Sequence, residues 1–286
     1  MSDFALDWLR LREPADLAAR SPALARSFAA TLPRPLRIAD LGSGSGANAR
    51  ALMPRIGAEQ DWILIDRDRA LIAAQEPEFT HWARRQGYPV LAGGGRIAIT
   101  VGAARWTAAS MPLDLMSNLA ALDRLDIHAV TAAAFFDLVS AEWLTRFVDV
   151  LARRRLPLLA VLTVDGVRDW LPVHDDDAIV AAAFRHHQAR DKGFGAALGG
   201  AAADALDQCL VDRGFAVSAA SSAWRLGKND RLLLSALVDG EAGAACEAAP
   251  EQTDVITAWR AARQATLADG GLALTVGHRD ILALPG

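Results

Sequence analysis

Short apolar runs alternate with longer helix-like stretches through most of this 286-residue chain. Apolar runs of about four to eight residues bounded by turn residues are typical of buried strands, and longer stretches with one apolar face are typical of helices. Strands that alternate with such helices form a parallel sheet covered on both faces, because each crossover lays a helix on the sheet. The pattern therefore predicts an α/β fold, and the 52% hydrophobic content supplies a sizeable core for it.

The pattern predicts six strands followed by a strand pair or one long strand. In chain order these are "PLRIADL", "DWILID", "GRIAITVGAARW", "IHAVTA", "LPLLAVLTVDG", "FAVSAASSAWRL" and "GLALTVGHRDILAL". Two amphipathic helices precede the first strand. The alternation breaks at residues 169–200, after the fifth strand, where an acidic cluster, two adjacent histidines and several glycines occur. We interpret this segment as a helical insertion or lid.

Composition narrows the classes of partner. Lys and Arg number 30 against 34 Asp and Glu, which gives a net charge of −4 and no overall basic footprint for a nucleic acid. The N-terminal "MSDFALDWLR" does not predict a signal peptide, and the apolar runs are too short to predict a membrane-spanning helix. Two cysteines are too few for a disulfide framework or a cysteine-rich metal site. We expect a cytoplasmic protein without a metal, as a monomer or homodimer.

The stretch "LRIADLGSGSGAN" carries the most chemistry. A buried strand runs directly into glycines at positions 42, 44 and 46, and a helix follows. Glycine permits a positive φ and a close approach of a ligand to the backbone at the start of the helix. Asp66 ends the next strand, about 20 residues beyond the turn, where a carboxylate meets ribose hydroxyls in βαβ nucleotide sites. The pattern predicts a ligand that contains adenosine.

Asp40 discriminates between two such ligands. The spacing of Gly42, Gly44 and Ala47 also fits the dinucleotide fingerprint, in which a pyrophosphate lies at the helix N-terminus. A carboxylate just inside the first strand would repel that pyrophosphate. It suits S-adenosylmethionine instead, which has an ammonium group, a sulfonium and no phosphate.

In these residues the chain resembles the class I S-adenosylmethionine-dependent methyltransferases. Their first motif, an acid followed by three alternating glycines, is matched by Asp40, Gly42, Gly44 and Gly46. The resemblance implies that the glycine turn packs under the methionine part of the cofactor and that Asp66 holds the ribose. It also implies a Rossmann-like three-layer sandwich, with a seven-stranded, mostly parallel sheet and an antiparallel last strand.

The same resemblance suggests a division of the chain. We expect a single domain, 1–286, with an N-terminal helical cap (1–33) and a cofactor-binding half (34–168). The insertion or lid (169–200) and the C-terminal part of the sheet (201–286) complete it.

Further contacts to the cofactor are expected on both sides of the motif. Ser43 lies within the turn and Arg67 follows Asp66. Arg12 or Arg20, from the leading helices, is a candidate for a two-pronged contact with the methionine carboxylate. The family often has an acid just after the third strand, near the adenine amino group, and here Thr107 stands at the expected place.

The acceptor site is expected beyond the carboxyl ends of the strands. Asp137 follows the fourth strand and Asp165 ends the fifth, so both are candidates to orient or deprotonate an acceptor. His187 and Lys192 in the insertion are candidates from a lid. The predicted function is methyl transfer to a small molecule.

Two other functions stay open at this point. A nicotinamide-dependent oxidoreductase of similar βαβ build would bind NAD(P) more tightly than S-adenosylhomocysteine. A non-catalytic protein that keeps the fold would bind S-adenosylmethionine, or no cofactor, without turnover.

Overall fold

The computed structural model describes residues 6–191 and 193–286, so Lys192 and the first five residues of the predicted cap lie outside them. Nine α-helices occur within the described residues. They are α1 (Leu6–Ala19), α2 (Pro22–Ala30), α3 (Ala47–Ile56), α4 (Arg69–Arg85), α5 (Ala141–Arg154), α6 (Asp177–Gln188), α7 (Ala202–Val211), α8 (Arg231–Ala248) and α9 (Thr253–Ala268). None of these helices is long and apolar enough to cross a bilayer.

Ten strands of the same described residues join in one sheet. They are β1 (Leu36–Leu41), β2 (Gln60–Asp66), β3 (Val90–Gly93), β4 (Arg96–Val101), β5 (Ala104–Pro112), β6 (Ala129–Ala133), β7 (Leu158–Leu171), β8 (Phe215–Ser221), β9 (Trp224–Leu226) and β10 (Ala273–Pro285). Their order is β3-β4-β5-β2-β1-β6-β7-β10-β8, and β9 pairs with the start of β10.

The frame of the sheet is the predicted one. Strands β5, β2, β1, β6 and β7 are parallel neighbours, and β10 lies antiparallel between β7 and β8. These seven strands confirm the α/β fold class with an antiparallel last strand. The predicted count of seven was too small, because a hairpin (β3 and β4) extends one edge and β9 adds a short strand beside β10.

The register predicted for the third strand is wrong. The run "GRIAITVGAARW" turns back at Gly102, whose φ is +58°, and its two halves fall in β4 and β5. The strand beside β2 is β5, which ends only at Pro112. Thr107 therefore lies within this strand, opposite Asp61, and donates a hydrogen bond to its Oδ1 at 2.6 Å.

Apolar side chains fill both faces of the sheet. On one face Phe147 and Leu206, from α5 and α7, pack against Leu41 of β1. On the other face Phe28 and Phe79, from α2 and α4, belong to the core that covers the reverse side of the same strands. Burial on both faces explains why β1 and β2 have near-continuous apolar sequences rather than alternating ones.

A third core lies beyond the far ends of β7 and β10. It contains Trp170 of β7, Trp259 of α9 and Leu234 of α8, and α6 packs against α8 and α9. Strand β7 runs on to Leu171, so part of the predicted insertion is strand. Of the segment 169–200, α6 thus belongs to this third core, and only the stretch that follows α6 reaches the cavity described below.

Candidate cofactor site

Two positions of the glycine turn have room for glycine alone. Gly42 has φ +60° and Gly46 has φ +84°. A Cβ on Gly42 would lie 2.6 Å from the Phe135 ring, and one on Gly46 would lie 2.4 Å from the Phe79 ring. The turn therefore combines a backbone conformation that L-residues rarely adopt with contacts that leave no room for a side chain.

The amides of this turn are already used within the protein. The Ser43 amide donates to the Ile65 carbonyl at 2.9 Å and the Gly46 amide to the Ser43 carbonyl at 2.7 Å. The Gly44 amide donates to Asp66 Oδ2 at 2.7 Å. A dinucleotide fold offers such amides to a pyrophosphate. Here three of these amides already have hydrogen-bond partners within the protein, so the turn is poorly suited to bind a diphosphate.

Asp66 ends β2 and joins the turn to the next helix. Its Oδ1 accepts the amide of Asp68 at 2.9 Å, and Asp68 then caps α4 by accepting from Ala70. Burial raises the pKa of Asp66, and these backbone hydrogen bonds oppose the rise. The Arg67 amide is a third backbone partner of Asp66. The carboxylate lines the cavity described next, and a carboxylate has about four acceptor positions, so it keeps capacity for a hydroxyl group.

A cavity of about 940 Å³ lies over the carboxyl ends of the central strands, where ligands bind in open α/β sheets. Helix α1 forms one wall. The lining includes Leu9, Arg12, Asp16, Arg20, Gly42, Ser43, Gly44, Asn48, Asp66, Arg67, Leu113, Asp114, Leu115, Ala133, Ala134, Phe135, Leu138 and Phe194. The volume falls within the range of small-molecule sites, and the lining combines apolar walls with a few charged groups.

A chain of buried polar side chains lies at one end of the cavity. Arg20 Nη1 donates to Asn48 Oδ1 at 2.5 Å, and Asn48 Nδ2 donates to Asp40 Oδ1 at 2.6 Å. The same amide nitrogen reaches Thr131 Oγ1 at 3.2 Å. Arg20 is only 7% exposed, and its Nε has no hydrogen-bond partner among the described residues. A buried guanidinium edge without a partner is costly, which marks it as a place for a ligand.

The expectation that Asp40 faces the ligand needs correction. Asp40 is fully buried and does not line the cavity, whereas Asn48 does. Burial raises the pKa of Asp40 to about 7, against the hydrogen bond from Asn48 and the charge of Arg20. Near the end of β1, Asp40 is covered by the helix that follows, α3, and it is hydrogen-bonded to Asn48 of that helix. Asp40 therefore affects the cavity through Asn48.

Helix α1 is held over the cavity by polar contacts. Within the helix, Arg12 Nε donates to Asp16 Oδ2 at 2.9 Å. Asp16 Oδ1 then accepts from the indole of Trp224 in β9 at 3.1 Å, which ties α1 to the sheet. Glu13 accepts from Arg50 Nη2 with both oxygens at 2.9 Å. No residue of α1 is buried.

Sequence reasoning missed Asp114. It follows the end of β5 and lines the cavity between Leu113 and Leu115. This is the place after the third strand where the family resemblance implies an acid, so the acid thought to be replaced by Thr107 lies seven residues further on. The glycine at position 102 was the signal, because a "VGA" between two β-rich runs is typical of a hairpin turn.

The predicted cofactor contacts fall into two groups. Gly42, Ser43, Gly44, Asp66, Arg67 and Arg20 line the cavity. Asp40, Thr107 and Gly46 do not, and Gly46 instead begins α3 as its N-cap. Arg67 is placed with its Cζ atom 5.8 Å from the ring centre of Phe194, which closes the cavity on that side.

The three predicted catalytic residues lie outside the cavity lining. Asp137 is in a single 3-10 turn between the lining residues Phe135 and Leu138. Asp165 lies inside β7, which continues past it, and accepts the Val167 amide at 3.1 Å. His187 Nε2 contacts Glu247 Oε2 at 3.2 Å on the third core. Their catalytic roles stay predictions.

No group of three or more His, Cys, Asp or Glu side chains in the described ranges is placed to hold a metal ion.

No protein-family model and no curated protein matches this chain. Solved structures resemble it. The cyclopropane synthase MmaA2 from Mycobacterium tuberculosis is 12% identical, with a TM-score of 0.49 over 98% of this chain and 95% of that chain. A cyclopropane-fatty-acyl-phospholipid synthase-like protein from Lactobacillus casei is 14% identical, with a TM-score of 0.48 over 99% and 94%.

A SAM-dependent methyltransferase from Geobacter sulfurreducens, in complex with S-adenosyl-L-homocysteine, is 15% identical, with a TM-score of 0.42 over 100% of both chains. Likenesses at these identities and TM-scores carry no argument about ligand or activity. The strand order and the antiparallel β10 agree with the mostly parallel sheet and antiparallel last strand expected from the sequence.

Proposed function

We propose that this chain binds S-adenosylmethionine in the cavity and transfers its methyl group to a small-molecule acceptor. The observation that carries the proposal is the buried guanidinium of Arg20, whose Nε has no partner among the described residues and which lies on the cavity wall. Beside it is a glycine turn in which the Ser43, Gly44 and Gly46 amides already have partners within the protein, so a ligand with a carboxylate and no phosphate fits this end.

The amino-acid end of the cofactor would lie against Arg20. Nη1 is held by Asn48, which leaves the Nε edge to donate to a carboxylate in a charge-assisted, two-pronged contact. Asp16, which also lines the cavity, supplies negative charge near Arg20. That charge favours an ammonium group beside the carboxylate, as in the methionine part of the cofactor.

The adenosine end would lie between the ends of β2 and β5. Asp66 keeps acceptor capacity for a ribose hydroxyl after its backbone hydrogen bonds to Gly44, Arg67 and Asp68. Asp114 would accept from the adenine amino group, with Leu113 and Leu115 on either side of it in the wall. The two carboxylates thus replace the hydrogen bonds that water makes to the nucleoside.

When bound, the cofactor supplies a methyl group made electrophilic by its sulfonium. An acceptor lone pair would take that methyl group and S-adenosylhomocysteine would leave, with any proton that the acceptor loses passing to solvent or a nearby base. Ala133, Ala134 and Phe135 line the cavity beyond β6, and their apolar surface would exclude water from the transfer. Alignment of the acceptor is then the main demand on the protein. Asp137, next to this wall in the chain, is the nearest of the predicted proton acceptors.

Calorimetry with two ligands tests the cofactor. We expect S-adenosylhomocysteine to bind and NADH to bind much more weakly, because three of the turn amides that a diphosphate would need already have partners within the protein. Asp66→Ala should lose binding, whereas Asp61→Ala, an exposed carboxylate on the same strand, should keep it. Tighter binding of NADH would replace the proposal by an oxidoreductase.

Labelled S-adenosylmethionine incubated with a fractionated metabolite extract tests the transfer. Label in an acceptor fraction, lost in the Asp66→Ala variant, supports the proposal and names the fraction to identify. Binding of the cofactor with no labelled product from any fraction would leave the binding assignment and remove methyl transfer, as for a non-catalytic sensor.

A further inference from the structure

Asp280 is a buried carboxylate far from the cavity in sequence and close to it in space. It lies in β10, is 1% exposed, and uses both of its oxygens on backbone amides. Oδ1 accepts from the Leu162 amide at 2.9 Å, and Oδ2 accepts from the Ser21 amide at 2.7 Å. A single side chain therefore ties the central sheet to the junction of the two N-terminal helices.

A bulge in the sheet fixes this side chain in place. Arg279 pairs with Thr163 and Ile281 with Ala160, so two residues of β7 face Asp280 alone. One of them, Leu162, has φ +55°, and its amide bonds the Asp280 carboxylate. The second oxygen of Asp280 is thus presented by a rigid part of the fold.

The amide that this oxygen holds belongs to the residue after Arg20. Ser21 also caps α2, where its Oγ accepts from Leu24 at 3.3 Å. The Arg20 backbone is therefore held through Ser21, while its side chain is held by Asn48. Asp280 is also among the nearby carboxylates that favour the charged form of Arg20, whose pKa is lowered mainly by burial.

We propose that Asp280 is a positioning residue that aims Arg20 at the carboxylate of the cofactor's amino-acid end. The inference rests on the proposed function. Its physical basis is preorganisation. A two-pronged contact depends on the direction of the guanidinium, and a guanidinium that is already held in place loses less conformational entropy when the ligand binds.

The test compares two ligands on Asp280→Asn. S-adenosylhomocysteine carries the amino-acid carboxylate, whereas 5′-methylthioadenosine ends at a methylthio group and lacks it. We expect the Kd of S-adenosylhomocysteine to rise about tenfold or more, as for a weakened charge-assisted contact. The Kd of 5′-methylthioadenosine should stay within about twofold of its wild-type value, because we expect the adenosine end to lie away from Arg20.

Two controls separate positioning from general loosening. Glu241 is a second buried carboxylate, bonded to Arg168 and Trp170 in the third core. Glu241→Gln should lower the unfolding temperature without changing the ratio of the two affinities. In an Arg20→Ala background, Asp280→Asn should cause no further loss of S-adenosylhomocysteine binding, because the group that it aims is gone.

The proposal is overturned if Asp280→Asn leaves the ratio of the two affinities unchanged, whether both ligands keep their affinity or both weaken by the same factor. Failure of the wild-type protein to bind S-adenosylhomocysteine would instead overturn the proposed function. If the variant does not fold, hydrogen exchange on the wild-type protein decides. S-adenosylhomocysteine should slow exchange of the Ser21 and Leu162 amides more than 5′-methylthioadenosine does, and equal protection would contradict the role of Asp280.

Discussion

One end of the cavity is held by residues of the first βαβ unit, whereas the other also depends on a side chain from the last strand. The glycine turn is closed by backbone hydrogen bonds to β2 and within the turn, and by the side chains of Asp66 and Gln75. Arg20 is fixed by Asn48 in α3 and, through Ser21, by Asp280 in β10. The turn is thus a local structure with no room for a side chain at Gly42 or Gly46. The arginine corner, by which we mean Arg20 with Asn48, Ser21 and Asp280, exists only after the whole sheet has formed.

This contrast predicts different kinds of damage. Changes in the turn should act on folding as well as on binding, because its glycines pack against the core. Changes in the arginine corner should act on one part of the ligand. The predictions that follow run from the largest expected effect to the smallest.

Gly46→Ala should be the most damaging substitution in the turn. Its Cβ would lie 2.4 Å from Phe79 at φ +84°, so crowding of the core adds to backbone strain. We expect a loss of about 3–5 kcal/mol in the free energy of unfolding, measured by urea denaturation.

Gly214→Ala is the control for Gly46→Ala. Gly214 has a similar φ of +79° and nothing within 4 Å of its Cβ, so the substitution should lose only about 1–2 kcal/mol. Equal losses in the two variants would show that the Phe79 contact has no energetic weight.

Asp40 and His278 should give the stability opposite dependences on pH. Burial raises the pKa of Asp40 to about 7, so its contribution is full below the ordinary value near 4 and is lost as the pH rises to 7. Burial lowers the pKa of His278 to about 3, so its contribution is full above about 6.5 and is lost as the pH falls to 3. Each effect amounts to a few kcal/mol, at about 1.4 kcal/mol per pKa unit.

The two opposing slopes can be separated by substitution. Between about pH 4 and 6.5, Asp40→Asn should leave stability rising with pH, and His278→Gln should leave it falling. Urea titrations of the wild type and both variants across this range check the signs. A flat profile in Asp40→Asn would mean that His278 is not buried in its neutral form.

Asp66→Ala and Arg20→Ala should affect opposite ends of the same ligand. Each should weaken S-adenosylhomocysteine binding by about 1.5–3 kcal/mol, the range for hydrogen bonds to charged groups. With 5′-methylthioadenosine, only Asp66→Ala should matter, because that ligand keeps the ribose and lacks the carboxylate.

Calorimetry with both ligands measures this difference between the two ends. Arg153→Ala, at an exposed ion pair with Asp123, is the control that should leave both affinities unchanged. Equal weakening of the two ligands by Arg20→Ala would remove the assignment of the arginine corner to the amino-acid end.

Asp114→Asn should have the smallest effect of the set. An amide oxygen still accepts from an amino group, so we expect a loss of about 0.5–1.5 kcal/mol in binding of S-adenosylhomocysteine. The inosine analogue has a carbonyl oxygen in place of the amino group, so it should bind the variant better than the wild type, because an Asn amide can donate to that oxygen and a carboxylate cannot. A variant that discriminates between the two ligands as strongly as the wild type would place the adenine elsewhere.

Much of the fold could be predicted because its signals are local. A buried strand, a glycine turn and an acid at the end of the next strand follow one another within about thirty residues, and each has a physical reason to be where it is. The misplaced third strand shows the limit of such signals. Its two halves have the same β-rich composition, and only pairing with β2 reveals that the second half carries the strand of the frame.

Side-chain direction was harder to predict than position in the chain. Asp40 was expected to face the ligand, but it is buried beneath Asn48. His187 was expected in a lid, but α6 packs on the third core, because the apolar face of that helix finds α8 and α9. Which neighbour an amphipathic helix covers depends on surfaces that are brought together only by folding.

The sequence by itself determined the α/β sheet, the glycine turn and the place of Asp66, because strand periodicity and the steric demands of glycine act over a few residues. Tertiary structure alone decided that Asn48 lies between Asp40 and Arg20, that Asp114 reaches the cavity, and that Asp280 holds the backbone beside Arg20. Ser21 and Asp280 are 259 positions apart, and a hydrogen bond between them exists only because the antiparallel last strand is inserted beside β7.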